Sequence, residues 1–439
     1  MRIVLINCPA IIYSIRRFTL PDEPLGLLSL ASMIKTDHDV LLIDGYAGHL
    51  PIQEIIKKSI NFMPHVIGLS CLFSSQIPAA IHLAEEIKKE NKNVQIVIGG
   101  NPPTFLRQYL INYDCVDAII LHEGEISFAN YLKFLEGKIE IDNLSGILYK
   151  NGGSIYSCEE THLVEDLDKI PFPARKLLSN INGYNKNMCT SRGCPFNCIY
   201  CSTKKMWGKW RARSAQNVVD EIIEIVGDFN PEYISFVDDT FAVSKGRIIE
   251  IGRLLKLNNI KVKLGGSVRI EQITEDFIKL LSEIGFKGLF LGVESGSNKI
   301  LKQLKRNYSA EDVLKKVDIC VKYGIIPQCS FIIGFPFETR EDVMETLKLM
   351  RKVNTYKVQA NWFMYFPGTD VFDKYKDYGV IMDPQKMNLL RYNPETEMPI
   401  IKTPFLSAEE IMDFYHEALG IIREKAFHKW RYQEHDSSK

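Results

Sequence analysis

Residues 188–201 read MCTSRGCPFNCIYC. A short strand-like run, 188–191, gives way at once to Cys194, Cys198 and Cys201, spaced C-x3-C-x2-C. Three soft thiolates on one tight loop can hold three irons of a [4Fe–4S] cluster and leave the fourth iron without a protein ligand. Gly193 and Pro195 suit a loop that folds around a bulky inorganic cube. Structural zinc is the plainer alternative, and it requires four closed ligands. Cys189 is the one nearby thiol to complete such a set, but it lies in the strand, and its spacing does not match paired zinc knuckles.

Outward from this loop the chain alternates. Candidate strands follow at 233–237, 262–266, 288–293, 327–333 and 357–363. Between them, residues 218–226, 248–257, 275–283, 310–323 and 340–352 carry helical spacing. Counting the strand ahead of the cysteines, six β/α units predict an incomplete parallel barrel with its site at the carboxyl ends of the strands. Beyond the barrel, 407–427 is one amphipathic helix opening with a capping box, Ser407 and Glu410. The last residues, RYQEHDSSK, read as a polar, frayed tail.

The residues before the loop alternate as well. Strands are expected at 3–6, 40–43, 66–69, 94–98 and 118–121, and helices at 25–34, 52–60, 77–87 and 126–135. That rhythm predicts a doubly wound, Rossmann-like parallel sheet, which binds ligands at its strand ends. Those ends are rich in glycine and small polar residues, among them Ser70, Ser74, Gly99, Gly100 and Asn101. GILYKNGGSIYS (146–157) reads as a hairpin and IPFPAR (170–175) as a proline-stiffened connector. The expected division is therefore 1–143 for the first domain, 144–181 for a hairpin linker, 182–375 for the barrel and 376–439 for a C-terminal helical region.

Composition narrows the function classes. Of 439 residues, 46% are hydrophobic and 25% charged, a globular balance. The 54 basic residues are matched by 54 acidic ones, which removes the broad positive footprint of a nucleic-acid binder. No apolar run approaches the ~20 residues of a membrane span, and the first residues do not resemble a secretory signal. A cytoplasmic location is expected, where structural disulfides are rare. Cys8, Cys71, Cys115, Cys158, Cys320 and Cys329 read as packing residues, with Cys329 a candidate for the barrel interior. Tyr365 and Phe366, at the end of the sixth strand, read as core packing or as a pocket lining.

The cysteine loop, with Tyr200 in the aromatic position, resembles the radical S-adenosylmethionine (SAM) superfamily, whose signature is C-x3-C-x-aromatic-C. The resemblance covers about 187–369 and implies a partial (β/α)6 barrel. It also implies a [4Fe–4S] cluster held by Cys194, Cys198 and Cys201, with SAM chelated to the open iron and cleaved to a 5′-deoxyadenosyl radical. In FVDDTF (236–241) it implies that Asp238 or Asp239 meets the SAM amino group. Arg269 in GSVRI (266–270) is then a candidate for the SAM carboxylate, and Glu294 in LGVESGS (291–297) for the ribose or amino group. FIIGFPFET (331–339) fits the segment that flanks adenine.

LINCPA (5–10), EPLGLLSLASMIK (23–35), VIGLS (66–70), VQIVIGGNPPT (94–104) and AIILHEGE (118–125) resemble the cobalamin-binding domain ahead of one radical SAM class. That likeness implies corrin contacts from Ser70, Ser74, Gly99, Gly100 and Asn101. The family's D-x-H-x-x-G motif, source of a histidine for the lower face of cobalt, is absent: His38 directly follows Asp37, and His49 and His65 lack the glycine. Cobalamin without that histidine is the expectation.

The implied activity is a cobalamin-dependent radical SAM methyltransferase acting on an unactivated carbon, with methylcobalamin as methyl donor. Cyclisation, ring contraction or another rearrangement by the same architecture is the alternative. A cluster-only sensor is disfavoured by the open iron. A methylthiotransferase is disfavoured because the first domain lacks a second cysteine trio. The expected partners are a small-molecule, lipid or peptide substrate and, by resemblance, a flavodoxin or ferredoxin reductant, with no nucleic acid and no membrane span.

Overall fold

The computed structural model describes residues 1–10, 20–48, 50–160, 163–375 and 402–436, with side chains to 427. The chain divides into two compact units; among the described residues the first comprises Met1–Asn187 and Lys205–Ala212, and the second holds the remainder.

In the first unit the expected alternation is present. It runs β1 (Arg2–Asn7), α1 (Leu25–Ile34), β2 (Asp39–Asp44), α2 (Ile52–Asn61), β3 (Val66–Ser70), α3 (Ile77–Glu90), β4 (Gln95–Gly99), α4 (Asn101–Leu110), β5 (Ala118–Ile120) and α5 (Gly124–Leu135). The strands pair in parallel in the order β2-β1-β3-β4-β5. They are near-continuous apolar runs because helices cover both faces. The order reverses between β1 and β3, the switch point at which such sheets bind ligands.

Two findings depart from the sequence reading. Asn101–Leu110 is a helix although it carries Pro102 and Pro103, since prolines in a first turn lack only N–H groups that would be unpaired there anyway. The hairpin is not a linker: β6 (Ile147–Asn151) pairs antiparallel with β5, and β7 (Ser154–Cys158) with β6, completing a seven-stranded sheet. Ile147 and Tyr149 reach the same core as Leu5, Val66 and Phe128, so the first unit extends well past residue 143.

The second series comprises β8 (Lys186–Met188), β9 (Ser191–Arg192), α6 (Thr203–Trp207), β10 (Arg211–Ala212), α7 (Ala215–Phe229), β11 (Tyr233–Phe236), α8 (Lys245–Leu257), β12 (Lys263–Val268), α9 (Glu275–Ile284) and β13 (Phe286–Glu294). It continues with α10 (Asn298–Gln303), α11 (Ala310–Lys322), β14 (Ile326–Ile333), α12 (Arg340–Lys352), β15 (Val358–Trp362), α13 (Asp370–Tyr375) and α14 (Ala408–Asp436). Six strands form one sheet in the order β15-β14-β13-β12-β11-β8. The pairs from β11 to β15 are parallel, as a partial barrel requires.

Ser214, Ser244, Thr274, Ser309 and Thr339 each accept a backbone N–H at the start of α7, α8, α9, α11 and α12, so five barrel helices open on a side-chain cap. Helix α14 keeps the predicted Ser407–Glu410 capping box. It lays Ile411, Phe414, Ala418 and Ile421 into the barrel's own core and stacks Tyr415 edge-on against Trp362 at 4.6 Å. The C-terminal region is therefore joined to the barrel, and helix continues to Asp436 where a frayed tail was expected. Residues 376–401 of that region lie outside the described residues. No described helix is long and apolar enough to cross a membrane.

Candidate active site

The cysteine loop begins where β8 leaves the sheet. The predicted strand at 188–191 stops at Met188 because the next residues turn to a side chain. Asp238, at the end of β11, accepts the Thr190 N–H (2.6 Å), the Thr190 hydroxyl (2.5 Å) and the Ser191 hydroxyl (2.6 Å). Arg247 of α8 donates to the Thr190 carbonyl (3.2 Å) and hydroxyl (2.9 Å). At the far end of the loop the Cys201 N–H returns to the Cys198 carbonyl (3.1 Å), and the Val371 N–H donates to the Ile199 carbonyl (3.2 Å).

Between these anchors Cys194 and Cys198 are half-buried and Cys201 is exposed. Burial pushes the Cys194 thiol up to about 11, which disfavours a free thiolate there; a bound cation would favour it. Arg269 brings a guanidinium N–H to 3.1 Å from the Cys198 sulfur while lying 3.8 Å above the Phe196 ring. Among the described residues no His, Cys, Asp or Glu converge as three on a single ion. The ligands of a cube each take a different iron. Cys189 stands apart: its thiol donates to the Ser191 carbonyl (3.0 Å), and burial pushes it up to about 12.

The other sequence candidates lie at successive strand ends. Asp238 is buried with its oxygens committed to Thr190 and Ser191, whereas its neighbour Asp239 is exposed and accepts the Thr203 hydroxyl (3.0 Å). Glu294 ends β13 with φ +67°, at a register shift in the pairing with β14. It is ion-paired to Arg306, which also donates to the Tyr200 hydroxyl (2.6 Å). Burial works against the charge on Arg306, but Glu294 beside it holds the guanidinium protonated. Tyr308 supports this strand end by donating to the Gly292 and Val293 carbonyls (3.1 and 2.9 Å). On β14, the turn at Gly334 and Phe335 is closed by Glu338, and Phe335 meets Tyr200 edge-on at 5.8 Å. Cys329 faces the outer core rather than the barrel interior, and Tyr365 is buried against Phe363.

Arg306 and Thr190 escaped the sequence reading. Arg306 sits in the basic run KQLKR, which reads as a solvated helix face, and its partner Tyr200 is 106 residues away. The donor set is three thiols with Asp239 and Glu294 as acceptors and Arg269 and Arg306 as donors. It fits a cluster plus a ligand that carries an ammonium, a carboxylate and ribose hydroxyls, as SAM does.

The first unit presents its own surface at the strand ends. Ser70, Ser74, Gly99, Gly100 and Asn101 are half-buried there. Gly100 has φ +116°, and a Cβ would stand 2.2 Å from the Cys71 carbonyl oxygen, so only glycine lets the backbone turn this close to β3. Fully buried Gln76 organises the rim: it accepts the Leu72 and Phe73 N–H groups (2.7 and 2.9 Å) and donates to Asn7 (3.2 Å) and the Cys8 carbonyl (2.5 Å). Leu72 and Phe73 remain 51% and 47% exposed, and the buried Ser75 hydroxyl has no partner among the described residues. An apolar ledge beside an orphaned hydroxyl and a glycine turn fits a large, flat macrocycle fringed with amides, which cobalamin is.

Comparison with known proteins gives the same two parts. Residues 188–350 match the radical SAM superfamily model, and residues 16–132 the B12 binding domain model. The chain is 31% identical over 403 residues to an uncharacterized methyltransferase of Pyrococcus horikoshii, covering 90% of this chain and 86% of that protein. It is 27% identical to an anaerobic magnesium-protoporphyrin IX monomethyl ester cyclase of Rubrivivax gelatinosus, covering 85% of this chain and 68% of that one. In fold it resembles the radical SAM methyltransferase TsrM of Kitasatospora setae, solved with cobalamin and a [4Fe–4S] cluster. That match has a TM-score of 0.75 at 14% identity over 97% of this chain and 88% of the other. The chain belongs to the radical SAM superfamily, in the class that carries a B12 binding domain ahead of the barrel; it is an enzyme, and methyl transfer is the activity its relatives best support.

Proposed function

We propose that the chain is a cobalamin-dependent radical SAM methyltransferase acting on an unactivated carbon of a small-molecule, lipid or peptide substrate. The carrying observation is the cysteine loop ringed by Arg269, Asp239, Glu294 and Arg306 at the barrel's strand ends, which supplies both a cluster site and a receptor for a zwitterion. Bound there, the cluster would supply the electron that breaks the SAM sulfonium bond, and cobalamin a methyl group carried on cobalt.

The residues have assignable parts. Cys194, Cys198 and Cys201 hold the cluster, and Arg269 offers a hydrogen bond to the Cys198 sulfur. Asp239, rather than the committed Asp238, takes the SAM ammonium. Arg269 and Arg306 flank the carboxylate, Glu294 takes the ribose or amino group, and Tyr200 holds Arg306 in place. Ser70, Ser74, Gly99, Gly100 and Asn101, with the ledge at Leu72, face the corrin. A flavodoxin or ferredoxin reductant and a cytoplasmic setting belong to the same reading.

The 27% identity to a cyclase favours one second reading, a carbon-skeleton rearrangement without methyl transfer. Product analysis separates the two. Methyl transfer yields 5′-deoxyadenosine and S-adenosylhomocysteine together, whereas rearrangement yields no S-adenosylhomocysteine, and its absence during substrate turnover would sink the methylation reading.

A further inference from the structure

The inner wall of the barrel carries a message about the substrate that the strand ends do not. On β12 to β15 one alternating set of residues is packed outward: Leu264, Leu289, Leu291, Cys329, Val358 and Ala360 all belong to the core shared with the helices. The other set faces inward, and the strand register places it in rows. Ser267 stands beside Phe290, and Phe290 beside Gln328. One step further along, Gly292, Ser330 and Gln359 are neighbours, followed by Ile332 and Asn361. These rows contain no ionisable side chain. The charges at this rim, Asp239, Arg269 with its partner Glu271, and Glu294 with Arg306, lie at or past the carboxyl ends of the strands. Toward the strand starts, the Tyr233 hydroxyl occupies the space over Gly265 and Gly288, where a Cβ would fall 1.6 and 2.9 Å from it, and so closes the floor.

The inward groups are also preorganised. The Gln328 amide donates to the Gln359 carbonyl (2.8 Å), and the Gln359 amide donates to the Ser330 hydroxyl (3.1 Å). Among the described residues these two bonds leave the Gln328 side-chain carbonyl as an acceptor at one end and the Ser330 hydroxyl hydrogen as a donor at the other. Asn361, exposed on the same face, adds an amide with both capacities, and Phe290, 37% exposed, adds an apolar face. A carboxylate, phosphate or ammonium pushed into such a wall would lose its hydration without gaining a counter-charge.

We infer that the part of the substrate entering the barrel is uncharged and bears amide or lactam groups beside an apolar face, recognised by Gln328, Ser330, Gln359 and Asn361 against Phe290. This rests on the enzyme reading above and adds the substrate class to it. Capped peptides and small lactams share this chemistry.

The test is affinity selection with mass spectrometry on the full chain, reconstituted anaerobically. It is offered mass-matched sets of capped dipeptides, neutral lactams, carboxylates and phosphates, and protonated amines. Retention should come from one of the two uncharged sets, which also tells peptide from lactam. It should weaken at least about tenfold in Gln359→Glu and in Asn361→Leu, the latter a surface position that leaves the fold intact. Retention confined to the ionised sets, no retention from either uncharged set, or retention unchanged in both variants overturns the inference. Iron content and 5′-deoxyadenosine formation from SAM are read on the same sample. Their failure counts against the enzyme reading, whereas their success with only ionised ligands retained removes the substrate class alone.

Discussion

Asp238 and Asp239 are adjacent in sequence and opposite in environment, and their substitution separates stability from binding. Asp238→Ala leaves the Thr190 N–H and two hydroxyls without their acceptor in a buried site, so a loss on the order of 3 kcal/mol in denaturant stability is expected. Asp239→Ala removes an exposed acceptor, so the SAM dissociation constant should rise about tenfold or more at nearly unchanged stability. Equal melting temperatures in the two variants would contradict the geometry. Cys198→Ala should abolish 5′-deoxyadenosine formation, and persistence of that product would refute the cluster assignment. Glu338 gives a pH dependence: burial raises its carboxyl to about 8, against the opposing pull of the Gly334 and Phe335 N–H groups. A carboxyl raised in the folded state stabilises fully below its unfolded value of about 4.5, and that contribution is lost as pH rises through about 8. Chemical denaturation at pH 6 and pH 9 should show this loss in the wild type, and Glu338→Gln should flatten it. At this scale the cysteine trio was legible because its spacing is local. Gln76 and Arg306 were not, because their partners Asn7 and Tyr200 lie 69 and 106 residues away.

At the scale of elements, periodicity reported the interior of each segment well and its edges poorly. Helix α12 spans the expected 340–352, since Thr339 caps it and its apolar face is regular. Helix α4 is not legible from periodicity because Pro102 and Pro103 interrupt helical composition unless their place in the first turn is known. From sequence the hairpin reads as a connector because β7 is mostly exposed, and only the pairing of β6 with β5 shows that the sheet extends through it. Strand β8 ends at Met188 because Thr190, a good strand residue, has its N–H and hydroxyl claimed by Asp238, and Ser191 opens the separate strand β9. A local device that was legible, the Ser407–Glu410 box, gives a clean test of how firmly α14 is seated. Ser407→Ala should lower stability by about 1 kcal/mol, measured by urea unfolding. A null effect would mean that the apolar contacts of Ile411 and Phe414 alone set the start of the helix.

At the scale of the whole molecule, each unit has a hydrophobic core of its own, the two sharing no residue, and these support two sets of cofactor-facing residues. The cysteines and the strand ends around them rest on the barrel core. The glycine turn at β4 and the Gln76 rim rest on the core of the seven-stranded sheet. If each cofactor is held by its own set, iron and cobalt should be lost independently. Gly100→Ala forces a side chain into the Cys71 carbonyl at a backbone angle that disfavours one, so retained cobalt should fall after hydroxocobalamin loading and desalting. Iron in that variant should match the wild type, because no cysteine ligand rests on the sheet that carries Gly100. Cys198→Ala should give the reverse, depleted iron with cobalt retained. Joint loss of both metals in both variants would show that neither site survives without the other, and the assignment of each cofactor to a separate core would fall.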